Sequence, residues 1–125
     1  MLNTMKSPST APVLDAERLH VYAVALELNA AAALVLPVVS RVVRDQLERA
    51  ALSVVLNVAE GAGRHSRRQK RYHYGVARGS AAECVAVADV LDRGALTGSL
   101  DVACVRRLAI RCVQMLSRLE TALGG

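Results

Sequence analysis

The sequence predicts an all-α protein, an antiparallel up-and-down four-helix bundle. First, the composition is 53% hydrophobic but includes no Trp, no Phe and three Tyr, so small Ala, Val and Leu side chains must pack the core. Second, apolar residues recur at helical spacing in four stretches, whereas the alternating runs typical of strands are rare. Third, short turn-rich segments separate these stretches, and short connections place successive helices antiparallel.

The length of 125 residues is that of one domain, which we divide into a disordered tail over residues 1–12 and the bundle over residues 13–125. The tail has no apolar run, so no signal peptide is expected. The longest uncharged stretch, Leu28–Ser40, is too short to span a bilayer. Three cysteines without metal-ligand spacing predict reduced core thiols in a cytoplasmic protein: Cys84, Cys104 and Cys112. We expect no cofactor, no metal and no membrane contact.

Capping signals delimit the first two helices. The first is predicted to begin at Asp15 and to end near Leu36, because Pro37 disfavours helical backbone in the residue before it. Residues at helical spacing form its predicted buried stripe: Leu19, Tyr22, Ala23, Leu26, Ala30 and Ala33. The second helix is predicted from Ser40, another N-cap candidate, to about Ala62.

The second helix carries an apolar stripe with a polar stripe beside it. The apolar residues are Leu47, Ala51, Val54 and Val58. The polar residues are spaced three and four apart: Gln46, Arg49, Ser53, Asn57 and Glu60. Two glycines, Gly61 and Gly63, are candidate C-cap residues.

The third helix has the clearest start, because Ser66 followed by Gln69 forms a capping box that satisfies free backbone donors. It runs to about Leu91 and contains Gly75 and Gly79, each of which costs about 1 kcal/mol relative to Ala in a helix interior. Since their spacing puts both glycines on one face, we expect close contact with another helix there.

The fourth helix begins after Ser99 or Thr97 and continues to about Leu123. Its predicted core stripe is Val105, Leu108, Cys112, Leu116, Leu119 and Leu123. Its predicted outer face carries Arg107, Arg111 and Arg118.

Positive charge is concentrated in residues 41–80, which contain nine basic and three acidic groups. A stripe of cations binds phosphate backbones without sequence preference. We predict that nucleic acid is bound near the start of the third helix, by Arg64, Arg67, Arg68, Lys70, Arg71 and Arg78. The alternative is a solvated helix end that keeps the protein soluble. Because cations oppose the macrodipole at a helix N-terminus, a reason other than stability is favoured.

The second and third helices carry too little charge for helices with a wet outer face. No charged residue occurs within Ala50–Ala59, and only Glu83 and Asp89 are charged within Gly79–Leu91. A helix that is apolar nearly all round is buried on more than one side. We therefore expect a homo-oligomer whose subunits meet through these two helices.

Two motifs in the middle of the chain resemble those of a known family. Residues 47–60 read LERAALSVVLNVAE and residues 77–83 read ARGSAAE. They resemble the small four-helix-bundle proteins first noticed as reading frames in 23S rRNA intervening sequences, which are similar to the accessory variability proteins of diversity-generating retroelements. The matching positions are Gln46, Arg49, Ala50, Ala51, Ser53, Asn57, Ala59, Glu60, Gly61, Gly79, Ser80 and Glu83. The resemblance covers about Leu19–Leu123, and Val55 stands where many members have Pro.

The resemblance implies an antiparallel four-helix bundle that assembles into a ring, typically a pentamer. The retroelement relatives also imply nucleic-acid binding through a basic surface, and a reverse transcriptase as a partner. Both implications agree with the basic cluster and the uncharged helix faces.

The polar stripe has two interpretations. Carboxylates and an arginine at a cleft can do acid/base chemistry, but no nucleophile pairing stands out among these residues. We favour a structural layer, buried and hydrogen-bonded, that fixes helix register. Its members would be Gln46, Arg49, Ser53, Asn57, Glu60, Ser80 and Glu83.

Arg68 and His73 are separated by four residues, which resembles the Arg-x4-6-His motif of the helical HEPN ribonucleases. In that chemistry the arginine steadies the phosphate and the histidine moves a proton. We favour a non-enzymatic oligomer that binds RNA or DNA as a reverse-transcriptase accessory protein. The alternatives are an oligomeric protein-interaction module without nucleic acid, and a HEPN-like ribonuclease.

Overall fold

Four helices form a bundle, as the sequence predicts, and no strand occurs in the part of the chain that the structure describes. The computed structural model describes residues 15–124, except for the side chains of Glu17 and Arg18. The predicted tail over residues 1–12 lies outside these residues. In chain order, the helices are α1 (His20–Val35), α2 (Arg41–Gly63), α3 (Arg67–Arg93) and α4 (Leu100–Ala122). Two 3₁₀ turns flank α1: Asp15–Arg18 and Leu36–Val38.

Each helix packs against two neighbours, because α1 and α3 both contact α2 and α4. The diagonal pairs, α1 with α3 and α2 with α4, are not in contact. Since short connections make successive helices antiparallel, one end of the bundle joins the N-termini of α1 and α3 to the C-termini of α2 and α4. We call this the basic end, because the predicted basic cluster lies there. At the opposite end, which we call the apolar end, large apolar side chains are exposed: Leu34, Val38, Val42, Val90 and Leu100.

Serine hydroxyls cap the N-termini of α2, α3 and α4, so these predicted helix starts are confirmed. Each accepts a hydrogen bond from the backbone N–H three residues on: Ser40 from Val43 at 3.4 Å, Ser66 from Gln69 at 3.1 Å and Ser99 from Val102 at 3.2 Å. These bonds satisfy N–H groups that have no partner within the helix.

Two other predicted caps are wrong. Asp15 begins a 3₁₀ turn, and the N-cap of α1 is Leu19, whose side chain makes no capping hydrogen bond. At the end of α2, Gly61 and Gly63 remain helical, and the C-cap is Arg64 in extended backbone. Lysine and arginine side chains satisfy the last carbonyls there instead, so no left-handed glycine is needed.

The predicted buried stripe of α1 is also wrong. Its members Ala23, Leu26, Ala30 and Ala33 are exposed, and Leu19 and Tyr22 are half-buried. The buried residues are Val21, Val24, Ala25, Leu28, Ala31, Ala32 and Val35. Because α1 is apolar almost all round, more than one face shows helical spacing, and only its packing against α2 and α4 selects the inner face.

The core stripes predicted for α2 and α4 are correct. Their buried members are Leu47, Ala51, Val54, Val58, Val105, Leu108, Cys112 and Leu116, while Leu119 and Leu123 are half-buried at the basic end. The cysteines are free, as predicted, although Cys104 is only half-buried. Burial raises the pKa of the Cys84 thiol to about 12 and that of Cys112 to about 11, so both stay protonated at neutral pH.

The close approach of α2 to α3 occurs at Gly61, whereas the prediction placed one at Gly75 and Gly79. A Cβ atom at Gly61 would lie 2.8 Å from Cε1 of the buried Tyr74 ring. At Gly79 such an atom would meet nothing within 4 Å, and at Gly75 it would approach the Glu120 carboxylate at 3.3 Å. The room that glycine leaves is used by the one buried tyrosine of the described core.

The segment His20–Val38 is long and apolar enough to cross a membrane, judged by length and composition alone. A core helix of a bundle meets the same criteria, so this is weak evidence for a membrane span. The packing of α1 against α2 and α4 accounts for much of its apolar character.

Candidate nucleic-acid interface

The predicted basic residues surround the three-residue connection between α2 and α3, and they differ in what their side chains contact. Most are exposed, and Lys70 is half-buried. The structure divides them into residues that cap neighbouring helices, residues in ion pairs, and residues whose charge faces solvent.

Arg67 caps the C-terminus of α4. Its Nε and Nη2 atoms donate hydrogen bonds to the backbone carbonyls of Leu123 and Ala122, each at 3.1 Å. These carbonyls have no partner within α4, and the negative end of the macrodipole lies there. Arg67 therefore contributes to stability.

Lys70 plays the same part for α2. Its Nζ atom donates to the carbonyl of Ala62 at 2.9 Å and to that of Gly61 at 3.3 Å. In an antiparallel bundle the N-terminus of α3 lies beside the C-termini of α2 and α4, so cations unfavourable for α3 itself stabilise its neighbours. The sequence-based argument that these cations lack a stabilising role is therefore wrong for Arg67 and Lys70.

Two further arginines are held in ion pairs. Arg64 pairs with Glu60 one turn earlier, and both side chains are largely exposed, so this pair adds little stability. Arg78 contacts Glu120 of α4 through Nε and Oε1 at 2.5 Å. The hydrogen bond to Glu120 raises the pKa of the Arg78 guanidinium above its usual value. Arg78 thus joins α3 to α4.

Arg68 and Arg71 remain. Both are exposed, and among the described residues neither makes an ion pair or a side-chain hydrogen bond. Of the six predicted binding residues, these two are the ones whose charge is not engaged within the chain.

A polar seam runs between α2 and α3, formed by Ser53, Asn57, His73 and Ser80. The Ser53 and Ser80 hydroxyls lie 2.8 Å apart. Asn57 Nδ2 donates to the Ser53 carbonyl at 3.0 Å and to its hydroxyl at 3.1 Å. Since a carbonyl only accepts, Nδ2 must face Ser53, and Oδ1 then faces His73 Nδ1 at 3.2 Å. The His73 ring therefore carries a proton on Nδ1.

The predicted buried polar layer is only partly present. Gln46, Arg49, Glu60 and Glu83 are exposed, and no polar or charged residue among those described is buried. Arg49 Nη2 bonds Gln46 Oε1 on its own helix at 2.7 Å, so the expected buried network of Arg49, Asn57 and Glu83 does not form within one chain. The inner face of α2 is occupied by Ala and Val, which moves the polar stripe to the edge of the interface.

An open groove of about 520 Å³ lies beside the seam at the basic end. It is lined by Arg64, Ser66, Arg68, Gln69, Tyr72 and His73, and we call it the α2–α3 groove. The structure thus brings Arg68 and His73 to one site. The Tyr72 side chain is 66% exposed, and its ring meets that of His73 edge to face, with centroids 5.1 Å apart. Sequence reasoning missed the contact of His73 with Asn57, which only the packing of α3 on α2 reveals.

A comparison with curated proteins finds no match. A family model described as 23S rRNA-intervening sequence protein matches residues 17–118. The matched range includes α1, α2, α3 and most of α4, together with both sequence motifs and the α2–α3 groove. The chain therefore belongs to the family of 23S rRNA-intervening sequence proteins.

Proposed function

We propose that this protein is a non-enzymatic, cytoplasmic homo-oligomer, a ring of five subunits, that binds RNA or DNA at the basic end of the bundle. The observation that supports binding is the pair Arg68 and Arg71, two exposed cations without an intramolecular partner in the described chain. A reverse transcriptase is the proposed protein partner, by similarity to the accessory variability proteins.

The basic end has the features of a surface that binds phosphates without sequence preference. Arg68 and Arg71 lie close to Arg64 and His65, and Tyr72 is the one strongly exposed aromatic residue nearby. Guanidinium groups displace condensed counterions from a phosphate backbone, and that release drives binding. A ring repeats the surface in every subunit, so modest contacts add by multivalency.

Exposed apolar residues on α2 support oligomerisation. Leu52 is 47% exposed and Leu56 is 56% exposed, and both belong to the uncharged segment Ala50–Ala59. On α3, Ala82 and Ala86 are exposed along the low-charge segment. Contiguous apolar surface of this kind marks protein interfaces.

We expect light scattering at micromolar concentration to give about five times the chain mass of 13.3 kDa. Leu52→Asp combined with Leu56→Asp should release monomers, because burying carboxylates in an apolar interface is costly. Leu100→Asp is the matched control, since Leu100 is even more exposed but lies at the apolar end. A monomeric wild-type chain would contradict the proposed ring.

For binding, we compare two double variants that each remove two positive charges. Arg68→Ala with Arg71→Ala should weaken binding to RNA and DNA alike and leave the melting temperature unchanged. It should also flatten the log-log dependence of affinity on salt by about 0.7–0.9 for each phosphate released. Arg67→Ala with Lys70→Ala should lower the free energy of unfolding by about 0.6–2 kcal/mol, because two helix C-termini lose their caps. Its salt slope should change much less.

Fluorescence anisotropy at several salt concentrations and thermal melting monitored by circular dichroism provide both readouts. If the two double variants lose affinity equally, only net charge matters and the assignment to Arg68 and Arg71 is wrong. If wild-type protein binds neither RNA nor DNA, the alternative of a protein-interaction module takes the place of the proposal.

The ribonuclease alternative is kept because Arg68 and His73 line one groove and Asn57 orients the histidine. An oriented imidazole beside an arginine is a pairing found in phosphodiester cleavage. Metal-independent cleavage of RNA by the purified chain, abolished by His73→Ala, would support this alternative over the non-enzymatic proposal.

A further inference from the structure

We propose that the α2–α3 groove holds one nucleotide of a single-stranded nucleic acid, with a phosphate on Arg68 and the base stacked on Tyr72. This inference rests on the proposed function and specifies which form of nucleic acid the basic end selects. It predicts a preference for single strands over duplexes.

The size and shape of the groove suit a splayed nucleotide. Its volume of about 520 Å³ lies within the range of small-molecule sites. In a duplex the bases are stacked and paired inside, so a protein meets mainly phosphates and groove edges. A single strand can turn one base outward and insert it beside an aromatic ring.

Tyr72 is the tyrosine available for stacking. Tyr74 is buried against Gly61, and Tyr22 is half-buried in α1. Tyr72 instead exposes 66% of its surface and lines the groove. Its edge-to-face contact with His73 leaves a ring face free of that partner.

Charge in the groove is suited to a phosphate. Arg64 is engaged by Glu60, so Arg68 is the lining cation that no carboxylate neutralises. Among the described residues, no acidic side chain lines the groove. A guanidinium matches the geometry of phosphate oxygens and binds them in a bidentate manner.

His73 supplies a fixed polar contact at the same site. Asn57 accepts the Nδ1 proton and is itself held by Ser53, so the ring orientation is determined by α2. Nε2 is then the nitrogen left for a ligand, where it accepts a hydrogen bond from a ribose hydroxyl or a base amino group. Three properties required for a nucleotide site thus meet on one face: cation, aromatic ring and oriented hydrogen-bonding group.

The test uses full-length protein with a labelled oligothymidine strand and with the duplex it forms with oligoadenosine. Tyr72→Ala should weaken single-strand binding about 5- to 150-fold, because stacking contributes about 1–3 kcal/mol per base, and should change duplex binding less than about twofold. Tyr72→Phe is the matched control and should retain single-strand affinity. The chain has no Trp, so tyrosine emission should be quenched when the strand binds, and Tyr72→Phe should lose that quenching.

The outcomes separate this inference from the proposed function. If Tyr72→Ala leaves single-strand affinity unchanged while Arg68→Ala with Arg71→Ala still weakens it, the groove assignment is wrong and nucleic-acid binding stands. Equal losses for strand and duplex would also overturn the groove assignment. If wild-type protein binds neither probe, both proposals fall.

Discussion

Leu28→Ala should lower the free energy of unfolding by about 2–5 kcal/mol, which is the largest effect we expect from a single truncation. Leu28 is 0% exposed in α1, so the variant loses the transfer free energy of the removed atoms and leaves a cavity. In urea unfolding, the midpoint should fall without a change in the slope. The melting temperature should fall by about 10 °C or more.

Leu26→Ala is the matched control, because it makes the same chemical change two residues earlier in the same helix. Leu26 is 46% exposed, so the subunit should lose less than about 1 kcal/mol. If Leu26→Ala costs as much as Leu28→Ala, the inner face of α1 is the one that the sequence pattern predicted, and the rotation of α1 described above is wrong.

Gly61→Val should destabilise the bundle by about 3 kcal/mol, because side-chain atoms would enter space already occupied by Tyr74. A Cβ atom alone would lie 2.8 Å and 2.9 Å from two carbons of that ring. Since Tyr74 is buried, its ring cannot move aside without displacing core neighbours. Thermal unfolding followed by circular dichroism should show a melting temperature lower by about 10 °C.

Gly63→Val provides the control on the same turn of α2. A Cβ atom there would meet nothing within 4 Å, and Val has a slightly higher helix propensity than Gly. We expect the free energy of unfolding to change by less than about 0.5 kcal/mol. Equal destabilisation at both positions would show that backbone freedom, rather than contact with Tyr74, is why glycine is needed.

Helix starts could be predicted from the sequence because they depend on local chemistry. Ser40, Ser66 and Ser99 each cap a helix through a bond that spans three residues, so the signal is contained in a short stretch. The core stripes of α2 and α4 were also predictable, since polar residues on those helices mark the outer side.

The inner face of α1 could not be predicted in this way. Leu26 and Leu28 are equally apolar, and no charged residue on the second half of α1 indicates which side is wet. The choice between them is made by tertiary packing with α2 and α4, which sequence periodicity does not record.

The candidate site was predictable in location but only partly in its contacts. Charge clustering located the basic residues near the start of α3, but it could not distinguish Arg67, which caps α4, from its neighbour Arg68. That distinction depends on a carbonyl more than fifty residues away along the chain. The pairing of His73 with Asn57 likewise joins two helices and leaves no mark in either one alone.

The opposite chemical character of the two bundle ends gives the molecule a direction. The basic end carries Arg68 and Arg71, whereas Leu34, Val42 and Leu100 are exposed at the other. The 23 residues of α2 separate the ends by roughly 35 Å, at about 1.5 Å per residue. A polyanion at one end and an apolar partner at the other would therefore not compete for space, and one subunit could bridge them in a ternary complex.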